Sequence, residues 1–102
     1  MTGFNLELLR ERREKTGTRW GLGVGDVVTI VENTGYGFGR INIGIIVEWN
    51  INGYWKVNLL NGENVYIAKS KVGWCVYSSP HDGYGNACKV VKICQLDQLD
   101  LR

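Results

Sequence analysis

The residues of this chain that are best suited to bind a ligand stand in two aromatic segments framed by glycine. Residues 35–40 read GYGFGR, and a second Gly-Tyr-Gly stands at 83–85. Aromatic rings on a glycine frame can stack on nucleic-acid bases, and an adjacent arginine can meet phosphate. We therefore expect a binding surface here, unless the rings fold back onto the domain itself. Its residues would be Tyr36, Phe38, Arg40 and Tyr84.

Positive charge in this chain is modest and unevenly placed. The formal net charge is +2, which is small for a protein that coats DNA through many phosphate contacts. The basic residues near the N-terminus alternate with Glu7, Glu11 and Glu14, so this segment is interpreted as a solvated face. A weak basic stripe is expected on one side of the fold. It would combine Arg40 with Lys56, Lys69 and Lys71.

Metal-ligating and nucleophilic residues are few. Cys75, His81, Cys88 and Cys94 could supply a zinc site, but no pair has the usual spacing of two to four residues. An odd number of cysteines also argues against a disulfide framework. Asp82 directly follows His81, so their side chains diverge, and no nucleophile elbow or phosphate-cradling loop is present. The sequence therefore predicts no enzyme, no metal and no cofactor.

Two Asn-Gly dipeptides determine the centre of the fold. Asn52-Gly53 and Asn61-Gly62 each separate runs that alternate apolar and polar residues. This pattern is the strongest short-range signal for a β-hairpin. Two such hairpins in succession predict a tight three-stranded meander.

The apolar faces also predict the type of these turns. Three-residue loops at 51–53 and 60–62 bring apolar residues opposite one another, whereas two-residue loops pair apolar with polar residues. Such loops need a positive φ at Gly53 and Gly62, with a bulge. The predicted pairs are Trp49 with Trp55, Val47 with Val57, Val57 with Val65, and Trp55 with Ile67.

The second strand has the clearest alternation in the chain. Residues 41, 43, 45, 47 and 49 are all apolar, and we expect them to share the face that packs on the core. Trp49, Trp55 and Trp74 are accordingly predicted to be core residues. Trp20 lies in a glycine-rich linker and is the tryptophan expected to be exposed or to dock a partner.

The chain is expected to be a single domain, residues 1–102, because its length suits one modest core. It has no apolar run long enough to span a membrane and no recognisable signal peptide, which predicts a cytoplasmic location. Its parts are a helix at 5–16, a barrel at 25–77 with a single helical turn at 68–73, and residues 78–102 with a loop, an extra strand at 88–96 and a tail.

The order and spacing of these elements resemble those of SH3-like small barrels, in particular the KOW and Tudor types. The resemblance rests on GDVVTIV, GIIVEW, GYWKVNLLNGENVYI and SKVGW, within residues 25–77. It implies a mainly β fold, an SH3-like barrel of five to six antiparallel strands with a short N-terminal helix. Barrels of this kind bind RNA, DNA and peptides, including methylated ones through aromatic cages, so the fold alone does not select a ligand.

Together these features predict a non-enzymatic binding module that engages nucleic acid or a nucleoprotein complex, and no membrane. The alternative is a protein-binding adaptor or inhibitor that acts through the N-terminal helix, the tail or an exposed edge of the sixth strand. Such a protein could also form a homo-oligomer by pairing of exposed strand edges.

Overall fold

The β-branched and aromatic runs of the sequence form six antiparallel strands in the computed structural model, which describes residues 6–33, 39–79 and 85–95. Consecutive strands pair with one another, and the last pairs with the first, which closes the barrel. The mainly β fold with one short N-terminal helix is therefore confirmed. The elements are α1 (Leu6–Thr16), β1 (Asp26–Glu32), β2 (Ile41–Asn50), β3 (Tyr54–Leu59), β4 (Asn64–Ser70), β5 (Gly73–Tyr77) and β6 (Asn86–Gln95).

Both Asn-Gly hairpins have the predicted three-residue loops. Gly53 and Gly62 have φ angles of 95° and 93°, a region that glycine enters without a steric penalty. The asparagine side chains support the turns, because Asn50 Oδ1 accepts a hydrogen bond from the backbone N–H of Asn52 at 2.8 Å. The predicted pairs Trp49–Trp55, Val57–Val65 and Trp55–Ile67 are all present.

One predicted pair is wrong, because β2 contains a bulge. Val57 pairs with Ile46 instead of Val47, and the register shifts between Ile46 and Glu48. Two backbone carbonyl oxygens at the bulge accept hydrogen bonds from groups that do not belong to a strand. Ile46 O accepts a hydrogen bond from the backbone N–H of Gly25 at 2.8 Å, and Val47 O accepts one from Arg12 Nη1 at 2.9 Å.

The bulge reverses the faces of the first half of β2. Ile46 is completely buried in the core, whereas Ile41 and Ile43 are exposed on the outside of the barrel. Ile45 is buried too, but it pairs with Val27 outside the main core cluster. The prediction that residues 41, 43 and 45 face the core with Val47 and Trp49 is therefore wrong, since one inserted residue inverts a two-residue period.

A second difference lies between β4 and β5. Residues 68–73 do not form a helical turn, because β4 continues to Ser70 and pairs there with Gly73, which begins β5 with a φ of 126°. The connection is thus a tight hairpin whose two central residues are Lys71 and Val72. β6 is also part of the barrel, since it pairs with both β1 and β5, so the barrel extends beyond residues 25–77.

The core fills the inside of this barrel and continues beneath α1. Trp55, Ile46 and Ile67 are fully buried at its centre, and Leu9 is the buried residue of the helix. In the described part of the chain, no helix has the length and apolar character needed to cross a lipid bilayer.

Candidate binding site at the tryptophan end of the barrel

All four tryptophans of the chain meet at one end of the barrel. The ring centroids of Trp49 and Trp55 are 4.8 Å apart, and those of Trp20 lie 5.5 Å from both Trp49 and Trp74. All three contacts are edge-to-face, the arrangement that aromatic quadrupoles favour. Trp55 is fully buried, Trp49 and Trp74 are half-buried, and Trp20 is 41% exposed. We call this set, from core to surface, the tryptophan end.

Trp20 has a backbone conformation that is unusual for a large side chain. Its φ is +58°, and the φ of Gly21 is +78°, which gives positive φ at both central residues of a four-residue turn, as in type I′ turns. The turn is closed by two backbone hydrogen bonds between Arg19 and Leu22, of 2.8 and 3.0 Å. A positive φ costs about 1–3 kcal/mol in a residue other than glycine, and such residues are concentrated at functional sites.

A buried carboxylate fixes the linker that carries this turn. Asp26 is completely buried, and it accepts hydrogen bonds from Arg13 Nη1 at 2.7 Å and from the backbone N–H of Gly23 at 2.9 Å. Lys92 Nζ lies 3.4 Å from Oδ2, the oxygen that accepts from Gly23. Arg13 also donates to Val24 O at 3.2 Å. A buried charge is tolerated when it is paired and hydrogen-bonded in this way. Asp26 therefore joins α1, the linker and β6.

Trp55 supports the turn from inside the barrel. Its indole Nε1–H donates to the backbone carbonyl of Arg19 at 3.4 Å. This contact gives the polar edge of a buried ring a partner. The exposed ring of Trp20 thus lies on a turn that is held by a core side chain and a buried ion pair.

Two cations lie against the rings of this end. The guanidinium carbon of Arg19 is 4.4 Å from the Trp49 ring centroid, and Lys69 Nζ is 5.9 Å from that of Trp74. Both residues are exposed, so each cation–π contact contributes about 0.5–1 kcal/mol. Their positive charge remains open to solvent beside the exposed ring of Trp20.

Apolar hairpin tips border the same end. Ile51 is in the β2–β3 loop and Val72 in the β4–β5 turn, and these side chains are 96% and 94% exposed. Alternate hairpins of an up-and-down barrel end on the same side, so both tips flank the tryptophans. Lys71 is adjacent to Val72 and is also exposed.

The residues predicted to form the binding surface do not all meet here. Lys69 and Lys71 lie at the tryptophan end. Lys56 lies on the outside of β3, where its Nζ is 3.7 Å from Glu48 Oε1. Arg40 is exposed and precedes β2, at the opposite end from Trp49, so roughly 30 Å of strand separates them. Tyr36, Phe38 and Tyr84 lie outside the described residues.

The tryptophan end was only partly visible in the sequence. The exposure of Trp20 was expected, whereas Trp49 and Trp74 were assigned to the core and are half-buried against it. One local signal was available, namely a tryptophan followed by glycine in a linker rich in glycine. Such a tryptophan has too few apolar neighbours in sequence to be buried by its own segment.

One of the three cysteines, Cys88, is unsuited to nucleophilic chemistry at neutral pH. Cys75, Cys88 and Cys94 are half-buried and have free thiols. Burial, with smaller contributions from Cys75 and Glu32, raises the pKa of Cys88 to about 12, so its thiol stays protonated and poorly nucleophilic. His81 lies outside the described residues, and among those described no three His, Cys, Asp or Glu side chains form a group that could hold a metal ion.

The arrangement can bind by stacking and charge, through an exposed ring held rigidly beside two cations. Comparison with known protein families, with curated protein sequences and with solved structures found no match. The site is therefore interpreted from the residues of this chain alone.

Proposed function

We propose that this protein is a non-enzymatic binding module that holds single-stranded nucleic acid, free or within a nucleoprotein complex, on the tryptophan end. The observation that carries the proposal is the exposed ring of Trp20, fixed in a left-handed turn. Its two ring neighbours, Trp49 and Trp74, each have a cation against them, Arg19 and Lys69 respectively. An unpaired base offers a π-face for this ring, and the phosphates next to it are the natural partners of the two cations.

Rigidity is the physical reason why this surface suits a flexible strand. Ordering a mobile side chain on binding costs about 0.5–1.5 kcal/mol, and Trp20 is already ordered by its contacts with Trp49 and Trp74. A stacked base contributes about 1–3 kcal/mol. With few cations nearby, the affinity would be moderate and would fall with rising salt concentration.

Two finer assignments belong to this proposal. The SH3-like layout is supported by the tight β2–β4 meander, and it would place this chain among small barrels that bind ligands through loops at their ends. A cytoplasmic location is supported by the three free thiols, which suit a reducing compartment.

The test measures fluorescence anisotropy with labelled single-stranded RNA and DNA pools at low and at physiological salt. We expect Trp20→Ala to weaken binding about 5- to 150-fold, the range for loss of one stacked base, and Trp20→Phe to retain most of it. Lys69→Gln should weaken binding, whereas Lys89→Gln, with the same loss of charge on the outside of β6, should not. Absence of binding to both pools at low salt would overturn the proposal.

A protein partner is the second candidate for the same end, favoured by the nearly complete exposure of Ile51 and Val72. Apolar side chains at hairpin tips contribute little to nucleic-acid binding, but they fill pockets on proteins. Serine at both positions would then abolish capture of a protein partner, whereas nucleic-acid binding would be unchanged.

A further inference from the structure

A second exposed apolar surface lies on the outside of the barrel, away from the tryptophan end. Ile43 on β2 pairs with Thr29 on β1, and Thr29 pairs with Val91 on β6. Leu60 lies on the side of β2 away from β1, where its backbone N–H donates to Ile43 O at 3.0 Å. These four residues form one row across the sheet. Three members of this row are large and apolar, namely Ile43, Leu60 and Val91. We call these three residues, together with Ile41 and Ile93, the outer apolar face.

The outer apolar face is large for a monomer. Its members, Ile41, Ile43, Leu60, Val91 and Ile93, are between 40% and 69% exposed. Neighbouring strands are only about 4.8 Å apart, so these side chains form a continuous surface. They present apolar area on the order of 500 Å², near the upper end for the largest patch of a soluble monomer, and patches of this size commonly mark interaction sites.

The outward direction of these side chains has two origins. The bulge at Val47 turns Ile41 and Ile43 outward. Ile93 needs no irregularity, because it lies two residues after Val91 and shares its face by strand alternation. The bulge in β2 therefore adds two isoleucines to the outside of the barrel.

We propose that a second copy of this chain covers the outer apolar face, in a symmetric dimer. The face has the neutral Thr29 at its centre, so two copies can meet without like-charge repulsion or the burial of an unpaired charge.

The row of apolar side chains suits two-fold symmetry. A two-fold axis parallel to β1 brings the Leu60 flank of one copy onto the Val91 flank of the other, so that apolar side chains meet on both sides of the axis. A standard interface buries about 800 Å² per partner, and the exposed apolar area of this face supplies on the order of 500 Å² of it. The dimer goes beyond the proposed function, and it leaves both tryptophan ends free.

The test is sedimentation velocity of the full chain from micromolar to millimolar concentration, with thermal melting to check folding. We expect the wild type to dimerise, and Leu60→Glu and Val91→Lys each to raise the dimer dissociation constant at least tenfold. The double variant should regain dimerisation, because glutamate at 60 then faces lysine at 91 of the other copy. Ile51→Glu, an exposed isoleucine elsewhere, is the matched control and should dimerise as the wild type does.

The outcomes separate this proposal from the binding function. A wild type that stays monomeric at millimolar concentration would overturn the dimer, as would an equal effect of Ile51→Glu or no rescue in the double variant. Nucleic-acid binding is scored in parallel on the Leu60→Glu protein, which retains the tryptophan end. The binding function can therefore fail while the dimer stands, and the reverse.

Discussion

The tryptophan end and the outer apolar face both expose large apolar side chains, yet they differ in how these are held. At the tryptophan end, rings pack edge-to-face from a buried core residue to an exposed one, with cations against them. On the outer apolar face, aliphatic side chains stand in rows on adjacent strands around a neutral centre. Rings with cations suit a charged, planar ligand, whereas an uncharged aliphatic face suits another protein surface.

Strand β2 contributes to both regions, and the bulge at Val47 separates the two contributions. Before the bulge, Ile41 and Ile43 point outward, and after it Trp49 pairs with Trp55 at the barrel end. One inserted residue thus allows a single apolar strand to serve two surfaces. The contrast teaches that exposure alone does not define a site, since the supporting contacts decide what each surface can bind.

The largest effect on stability is expected from Asp26, whose buried carboxylate holds the linker of the tryptophan end in place. We expect Asp26→Ala to lower the free energy of unfolding by about 3 kcal/mol, because it leaves Arg13 and Lys92 without their buried partner. That value is at the lower end of the range because both cations keep some contact with water. Urea unfolding measures the loss. Glu48→Ala removes a partly exposed ion pair with Lys56 and should cost less than 1 kcal/mol. An equal loss in the two variants would contradict the role of Asp26 in holding the linker.

The bulge in β2 can be tested at Gly44. A Cβ at this position would lie 2.6 Å from Val57 Cγ1 and 2.7 Å from Asn58 O, so Gly44→Ala should destabilise the protein by about 2 kcal/mol through overpacking. Without the bulge, Gly44 would face outward and alanine would be tolerated. Chemical denaturation distinguishes these cases, and a neutral or stabilising result would mean that Ile43 faces the core.

A smaller effect is expected at the hairpin beside the tryptophan end. Gly53→Ala meets no atom within 4 Å but must keep a φ of +95°, which costs about 1 kcal/mol. Chemical denaturation should therefore rank Gly53→Ala between the wild type and Gly44→Ala. A loss larger than that of Gly44→Ala would show that the hairpin, and not the β2 register, limits stability.

The smallest effect at neutral pH is expected from Cys88, which pairs with Trp74 on the inside of the barrel. Its pKa is raised from 9.0 to about 12, so the folded state holds this proton more tightly than the unfolded state. The stability linked to this proton is complete below pH 9 and is lost as the pH rises towards 12. Thermal melting of Cys88→Ala should show a weaker decline over this pH range than Cys75→Ala, and identical declines would contradict burial of Cys88.

Some features of the fold were accessible from sequence because they depend on a few adjacent residues. The three-residue hairpins follow from Asn-Gly chemistry and the apolar faces beside it, and the charged helix follows from its composition. The tight turn at Lys71 and Val72 was missed because its residues lack a strong turn signal before Gly73. The register of β2 was missed because a two-residue period gives no indication of an inserted residue.

The candidate site was less accessible for the same physical reason. Lys69 and Lys71 were predicted and do lie at the tryptophan end, but Arg40 and Lys56 are separated from it by the length and the thickness of the barrel. The contacts that define the site join distant segments, such as Trp20 with Trp74 and Arg13 with Asp26. No local pattern specifies such pairs, because each depends on how the strands are registered.

The sequence by itself determined the helix, the strands and both Asn-Gly turns, since turn geometry and alternation act over a few residues. Only the tertiary structure decided which isoleucines face outward and that all four tryptophans meet. The reason is that the bulge in β2 is stabilised by Gly25 and Arg12, which belong to the linker and the helix. Hydrogen bonds from distant segments thus decide which side chains of β2 face the core. The residues of this strand are themselves compatible with either orientation.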